Sequence, residues 1–208
     1  MRHMTLLETI ADEDILLEAW KRTYAGKSDD VREHSEGFDK ESLADFKEND
    51  IENIKQISLE LSTGIYTLSP LSGFEKEKKN GNFRLITAPT VRDRIVHASI
   101  LAMIQQYYPE IRNKSSYCLP RSKEKSERVN FIDAFRMINS HIKNGNTYVF
   151  ESDIESFFDK IVKKRLLRSV LTSLPDKSID HLIKDIVYYE VGNLSRFTKI
   201  NFTYPFVV

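Results

Sequence analysis

The chain has 208 residues and carries 31 Lys and Arg against 31 Asp and Glu, so its formal net charge is zero. A composition of 40% hydrophobic and 30% charged residues is typical of a globular protein and excludes a fully disordered or collagen-like chain. The single cysteine, Cys118, excludes an internal disulfide, and the scattered histidines do not have the spacing of a zinc site.

The absence of a long apolar run and of a secretory segment at the N-terminus predicts a cytoplasmic protein with no membrane partner. The charge is unevenly distributed along the chain. Residues 1–70 hold 8 Lys and Arg against 16 Asp and Glu, whereas residues 71–149 hold 14 against 7. A basic middle segment suits contact with a phosphate backbone, and it is also a common property of solvated surfaces.

The first 70 residues predict a helical region. Apolar residues recur at helical spacing from Leu6 to Tyr24, which predicts one or two amphipathic helices ending near Gly26. We expect a polar loop over residues 27–37, helices over 39–46 and 50–61, and a short strand over 65–68. Ser42 lies near a plausible helix start.

A β-hairpin is predicted around Asn80-Gly81, because this dipeptide between two extended runs is a strong hairpin signal. A hairpin with several cations suits gripping a triphosphate or a template backbone. The alternative explanation is a hairpin whose charged edges resist aggregation. The cations on its strands are Lys76, Lys78, Lys79 and Arg84.

The residue pattern after the hairpin predicts further helices. One opens at Val91 and runs to Tyr107, and another covers residues 131–142 and ends at Gly145. Two more are expected over residues 163–171 and from Pro175 to Val187. The segment between the first two of these helices, residues 112–128, is basic, with Tyr117 available for stacking on a base.

The stretch from Tyr148 to Ile161 predicts a short buried strand, Val149-Phe150, that leads to Asp153. A carboxylate at the end of a buried strand is costly unless a partner balances its charge, and Mg²⁺ is one such partner. An Asp that caps the next turn is the alternative.

Residues 153–161, Asp-Ile-Glu-Ser-Phe-Phe-Asp-Lys-Ile, resemble the first catalytic motif of bacterial reverse transcriptases of the group II intron, retron and phage-defence kind. Residues 91–98 resemble the family's next signature after a Leu-Ile-x-x-Pro-Thr run, which occurs here at 85–90. Weaker pieces of the family's opening pattern come in the expected order at residues 17–22, 37–39, 45–46 and 61–66.

The resemblance implies a site for each of three ligands: catalytic Mg²⁺, a deoxynucleoside triphosphate, and an RNA template with its DNA or RNA primer. It implies that Asp153 is catalytic and that Asp153 and Ile154 hold the metal. The nucleotide-binding positions it implies are Lys78, Lys79, Arg84, Ile154, Ser156, Phe157 and Phe158. The nucleic-acid-binding positions are Arg92, Arg94, Lys114, Tyr117, Arg121 and Lys123. The alternative at the first two of these positions is a bridge between Asp93 and Arg94 within the fold.

The fold class expected from this resemblance is α+β: a helical N-terminal extension (1–70), fingers with a β-hairpin and helices (71–147), and an incomplete right-hand polymerase palm (148–208). The family's later aromatic-x-Asp-Asp hairpin has no counterpart here, since no Asp-Asp pair follows Asp153. One carboxylate cannot organise two metals, so we expect no polymerisation by this polypeptide alone.

Three explanations therefore stay open. The chain is the front part of a reverse transcriptase, whose palm a second polypeptide could complete, with phage defence as the favoured role. Alternatively, it is a naturally short, non-catalytic relative that binds RNA or a protein. The third is a module unrelated to polymerases.

Overall fold

The computed structural model describes residues 4–77, 81, 83–111, 131–154 and 160–197. Within these ranges the fold is α+β, mostly helical with one two-stranded antiparallel hairpin, as expected at the level of class. The helices are α1 (Leu6–Ile10), α2 (Glu13–Tyr24), α3 (Asp29–His34), α4 (Leu43–Glu48), α5 (Asp50–Ser62), α6 (Val91–Tyr107), α7 (Phe131–Lys143), α8 (Lys163–Ser173) and α9 (Asp180–Val187). The strands are β1 (Ser72–Glu77) and β2 (Phe83–Ala88).

The N-terminal helices form because their starts are capped and their apolar faces meet. Thr5 and Ser42 each open a capping box, in which a hydroxyl and a carboxylate three residues later satisfy exposed backbone N–H groups. Trp20 is 2% exposed and packs against Phe46, with their ring centroids 4.7 Å apart. Its indole Nε1 donates a hydrogen bond of 3.0 Å to Asp50, so the buried ring keeps no unpaired donor.

One hydrophobic core joins residues from all three of the expected sequence ranges. Helix α6 lies at its centre, where Ile95 and Val96 are fully buried against α1 and α2. Leu174, Ile179 and Leu182 add apolar surface from the C-terminal part of the chain. The division into an extension, fingers and palm therefore stays a prediction from the resemblance.

Residues 176–178 form hydrogen bonds with the start of α1. Asp176 Oδ2 accepts a hydrogen bond of 2.7 Å from the N–H of Leu6, and Ser178 Oγ accepts one of 3.0 Å from that of Leu7. These two donors belong to the first turn of α1, which cannot satisfy them within the helix. A loop 170 residues away in sequence therefore completes the N-terminal cap of α1.

Replacing Asp176 with asparagine is expected to lower the free energy of unfolding by about 1 kcal/mol at pH 7, because an amide offers one acceptor oxygen for the two N–H groups of Leu6 and Ser178. Burial raises the Asp176 pKa, but the hydrogen bonds from Ser178 and Leu6 outweigh it, and the pKa lies below its usual range. The carboxylate therefore contributes its full stability above its unfolded pKa of about 4, and loses it as the pH falls through the lower folded value.

Urea denaturation between pH 7 and pH 3 measures this difference. The gap between the wild-type protein and Asp176→Asn should be constant above pH about 5 and shrink below about 4. Glu13→Gln, at an exposed position, is the matched control and should change stability by less than about 0.5 kcal/mol. A gap that widens as the pH falls would contradict this role of Asp176.

The predicted hairpin is confirmed. Strands β1 and β2 are antiparallel, with Phe74 opposite Ile86 and Lys76 opposite Arg84, and Gly81 in the connecting segment has φ +77°. This left-handed backbone conformation favours glycine, as the Asn80-Gly81 signal requires.

A second segment, residues 188–193, fixes the base of the hairpin; we call it the anchor segment. Leu71 pairs with Val191 in a parallel bridge, its N–H donating to Glu190 O at 2.7 Å. The Asn193 side chain accepts from Gly73 N at 2.7 Å and donates to Gly73 O at 2.9 Å, as a neighbouring strand would. The hairpin is therefore attached to the C-terminal part of the described chain.

Four other predictions on local structure are wrong. The expected loop 27–37 contains α3, residues 65–68 form no strand, and the last helix begins at Asp180, since Pro175-Asp176 serves the cap of α1. Residues 149–150 are irregular, and Val149 and Phe150 are 82% and 91% exposed. A strand needs a neighbour for its backbone hydrogen bonds, and no strand in the described ranges pairs with residues 149–150.

The other predicted helices agree with the structure. Helix α7 ends two residues before Gly145, which has φ +88°, and α8 covers the expected residues 163–171. Helix α7 exposes its apolar face: the side chains of Phe131, Phe135, Ile138 and Ile142 are each 48–67% exposed. Of the helices in the described ranges, none has both the length and the apolar character needed to span a bilayer.

Candidate functional site: a cationic hairpin face and the start of helix α6

The solvent face of the hairpin carries two cations and one aromatic ring. Lys76 and Arg84 stand directly opposite each other, so their side chains leave the same face, and both are exposed. Phe74, 47% exposed, precedes them on that face. Neither cation forms an ion pair with another described residue. Two like charges opposite each other destabilise a hairpin, and an anion between them removes that cost.

Arg92, expected to contact nucleic acid, is held within the fold. Its guanidinium forms an ion pair with Glu60 and lies 5.8 Å from the centroid of the Tyr66 ring. Burial lowers the Arg92 pKa, but the hydrogen bond and the charge of Glu60 outweigh it, and the net pKa is raised. The side chain is about one third exposed, so Arg92 connects α5 to α6 while one part of it faces solvent.

Arg94 is likewise a structural side chain. Its Nε donates to Pro89 O at 2.9 Å, and its Nη1 donates to Ser35 Oγ at 2.7 Å. Burial lowers the Arg94 pKa, with Asp39 acting in the opposite direction. Arg94 therefore joins the segment after α3 to the start of α6 through Nε and Nη1, while its buried Nη2 has no hydrogen-bond partner in the described residues.

Between these two arginines, Asp93 is the centre of a buried hydrogen-bond network. The residue is 2% exposed, and its carboxylate accepts hydrogen bonds from Tyr66 OH at 2.8 Å, Ser69 N at 3.1 Å and Thr90 Oγ1 at 2.8 Å. Thr90 in turn caps α6 by accepting from Asp93 N. The network fixes the segment that enters β1 to the first turn of the helix that follows β2.

Close packing supports this start of α6 from the other side. A Cβ placed on Gly37 would lie 2.5 Å from the Thr90 Cα, a distance that the backbone would have to widen. Only glycine fits there without moving the N-terminal cap of α6. The weak Gly37-Phe38-Asp39 piece of the resemblance thus contacts Thr90, the last residue of the 85–90 run.

The predicted metal residues lie on an exposed segment. Asp153 Oδ1 accepts a hydrogen bond of 2.9 Å from the N–H of Ile154, and Ile154 is 64% exposed. This contact joins neighbouring residues only, and the interpretations of Asp153 as a metal ligand and as a cap of the next turn both stay predictions. In the described ranges, no three or more His, Cys, Asp or Glu side chains are grouped closely enough to hold a metal ion.

The remaining predicted site residues lie outside the described residues: Lys78, Lys79, Lys114, Tyr117, Arg121, Lys123, Ser156, Phe157 and Phe158. Among those that are described, the structure brings Arg92 and Arg94 to the start of α6, puts Arg84 on the hairpin, and joins neither group to Asp153 by a hydrogen bond or an ion pair.

Sequence reasoning missed the partners of these residues. Glu60, Tyr66 and Asn193 each contact a segment more than 25 residues away, and no local pattern marks them. The one available signal was the ordered resemblance at residues 61–66, which includes Tyr66 without giving it a role. Comparison with known families finds no family model that matches this chain, and comparison with curated proteins finds no match.

Proposed function

We propose that the chain is the front part of an RNA-directed DNA polymerase and that it binds an RNA template with its primer and the incoming deoxynucleotide. The observation that carries the proposal is the hairpin face, where Lys76 and Arg84 are opposite each other and exposed beside Phe74. Phosphate oxygens can neutralise the two cations, and the ring can stack on a base or a sugar. The ordered motifs at residues 85–98 and 153–161 support the polymerase interpretation.

Asp153 is the residue we propose to hold catalytic Mg²⁺, with Ile154 contributing at its backbone. An Asp carboxylate and a backbone carbonyl are both oxygen ligands of the kind that Mg²⁺ prefers. The metal would neutralise charge on the reacting phosphate, and the cationic hairpin would hold the triphosphate. The exposure of Ile154 leaves room for further ligands to approach the carboxylate from another polypeptide.

The test of the binding function is a filter-binding titration of a primer–template duplex at increasing salt. Contacts between cations and phosphates release counterions, so affinity should fall steeply, by a slope of about −0.9 per phosphate contact in a logarithmic plot. A flat dependence on salt would overturn the proposed interface.

The test of the catalytic function is primer extension with Mg²⁺. We expect no incorporation by this polypeptide alone, and Asp153-dependent incorporation when a polypeptide bearing an aromatic-x-Asp-Asp hairpin is added. Asp153→Asn should abolish the restored activity without changing RNA affinity. Salt-dependent RNA binding with no restoration would instead favour the second candidate, a non-catalytic RNA-binding relative, for which the local Asp153–Ile154 hydrogen bond is the specific observation.

A further inference from the structure

A pocket lined by carboxylates lies at the base of the hairpin, whose exposed face is cationic. Its volume is about 400 Å³, and its walls come from residues 68–71, Pro89, the first two turns of α6, the end of α9 and the anchor segment. The anchor segment meets the hairpin base at the Leu71–Val191 bridge, so the two sides of the pocket are joined directly by backbone hydrogen bonds. The backbone hydrogen bonds therefore hold the walls of the pocket together.

The walls carry three carboxylates and no Lys or Arg. Asp93 is buried and bonded to neutral donors, whereas Asp185 and Glu190 are exposed. The only other ionisable groups in the walls are His97, Tyr188 and Tyr189. Burial lowers the His97 pKa, opposed by Asp93, so this imidazole adds no positive charge at neutral pH. The pocket is consequently anionic and repels phosphate groups.

The rest of the lining is apolar or aromatic. Leu68, Pro70, Leu71, Pro89 and Ile186 form an aliphatic surface, and Tyr188 and Tyr189 supply rings that are 44% and 39% exposed. These two rings attract a cation within the chain itself, since the Lys163 ammonium lies 4.2 Å from the centroid of Tyr189 and 5.9 Å from that of Tyr188.

We propose that this pocket binds an organic cation on an apolar stem, a guanidinium or alkylammonium group. The stem would lie along the aliphatic surface while the charged head meets Asp185 and Glu190, an arrangement that suits the long side chains of arginine and lysine. His97 adds a buried Nε2 atom with no hydrogen-bond partner in the described residues, and a ligand N–H that reaches it would satisfy it. This site is separate from the cationic hairpin face and does not depend on the polymerase proposal.

The same chemistry has two sources, a small metabolite or a basic side chain of a partner protein. The experiment uses a matched pair of probes for each: butylguanidinium with its neutral counterpart butylurea, and an acetylated, amidated Gly-Arg-Gly peptide with its citrulline counterpart. Isothermal titration at low salt with the full chain should show at least tenfold tighter binding of the charged member. If the arginine peptide shows this preference over its citrulline counterpart and butylguanidinium does not bind, the source is a protein. If butylguanidinium shows the preference over butylurea and the peptide does not bind, the source is a metabolite.

A charge-neutral variant locates the site. In Asp185→Asn/Glu190→Gln, the preference for the charged probe should fall at least tenfold, while the melting temperature stays within about 2 °C because both residues are exposed. The control Glu13→Gln/Glu48→Gln removes the same charge from exposed positions outside the pocket and should keep the preference. Equal binding of charged and neutral probes, or the same preference in both variants, would overturn the proposal.

Discussion

Replacing Asp93 with alanine is expected to lower the free energy of unfolding by about 3 kcal/mol. The carboxylate is 2% exposed and accepts three hydrogen bonds, so its removal leaves the buried hydroxyls of Tyr66 and Thr90 without this acceptor. Each buried donor left unpaired costs about 1–3 kcal/mol. Urea denaturation measures the change, and an unchanged m-value would show that the variant exposes the same surface area on unfolding as the wild-type protein.

Tyr66→Phe is the matched control for this network. It deletes one donor to Asp93 and keeps the ring beside Arg92, so its cost should be only about 1 kcal/mol. The two changes share a hydrogen bond, and the double variant should therefore be less destabilised than the sum of the single ones. Equal costs for the two single variants would show that Asp93 does not organise the segment between Tyr66 and α6.

The sequence was sufficient to predict the elements whose signal lies within the element itself. Asn80-Gly81 predicted the hairpin because this dipeptide favours a reversal of the chain, and Gly81 has a left-handed φ of +77° between strands that end at Glu77 and begin at Phe83. Val91–Tyr107 was predicted because an apolar period continues across it, and its Thr90 cap lies within the same short stretch. These features need no knowledge of the rest of the chain.

The sequence was insufficient to predict features that depend on partners far away in the chain. Asp176 was predicted to start a helix, but its carboxylate accepts hydrogen bonds from the Leu6 N–H of α1 and from the Ser178 N–H, and the helix starts at Asp180. Arg92 and Arg94 were selected as nucleic-acid contacts, and no local pattern showed that the distant residues Glu60 and Ser35 bind their guanidinium groups. A motif therefore identified important positions, while their physical role depended on partners that no local pattern specifies.

The same limit applies to Asp153. Its prediction as a buried metal ligand assumed that Val149-Phe150 forms a strand, but these residues are irregular and exposed. An apolar dipeptide becomes a strand only when neighbouring strands accept its backbone hydrogen bonds. The metal role of Asp153 consequently remains a proposal that the primer-extension experiment tests, whereas the cationic hairpin face is open to direct test in this chain.

Replacing both Lys76 and Arg84 with glutamine is expected to weaken binding of a primer–template duplex at least tenfold at low salt. The two side chains project from one exposed face, so both can contact phosphates at once. The logarithmic salt slope should fall by about 2, one for each lost contact. Filter binding across a range of salt concentrations measures the affinity and the slope together.

A loss of folding cannot imitate this result, because the substitution should slightly stabilise the free protein. Opposed like charges cost a hairpin about 0.2–1 kcal/mol, and glutamine removes that cost, so weaker RNA binding would accompany equal or higher resistance to urea. The control Lys21→Gln/Lys55→Gln removes two exposed cations from α2 and α5, within the acidic N-terminal region, and should leave the slope unchanged. Equal losses in the two double variants would mean that RNA meets the protein through its overall charge, and the hairpin face would lose its assigned role.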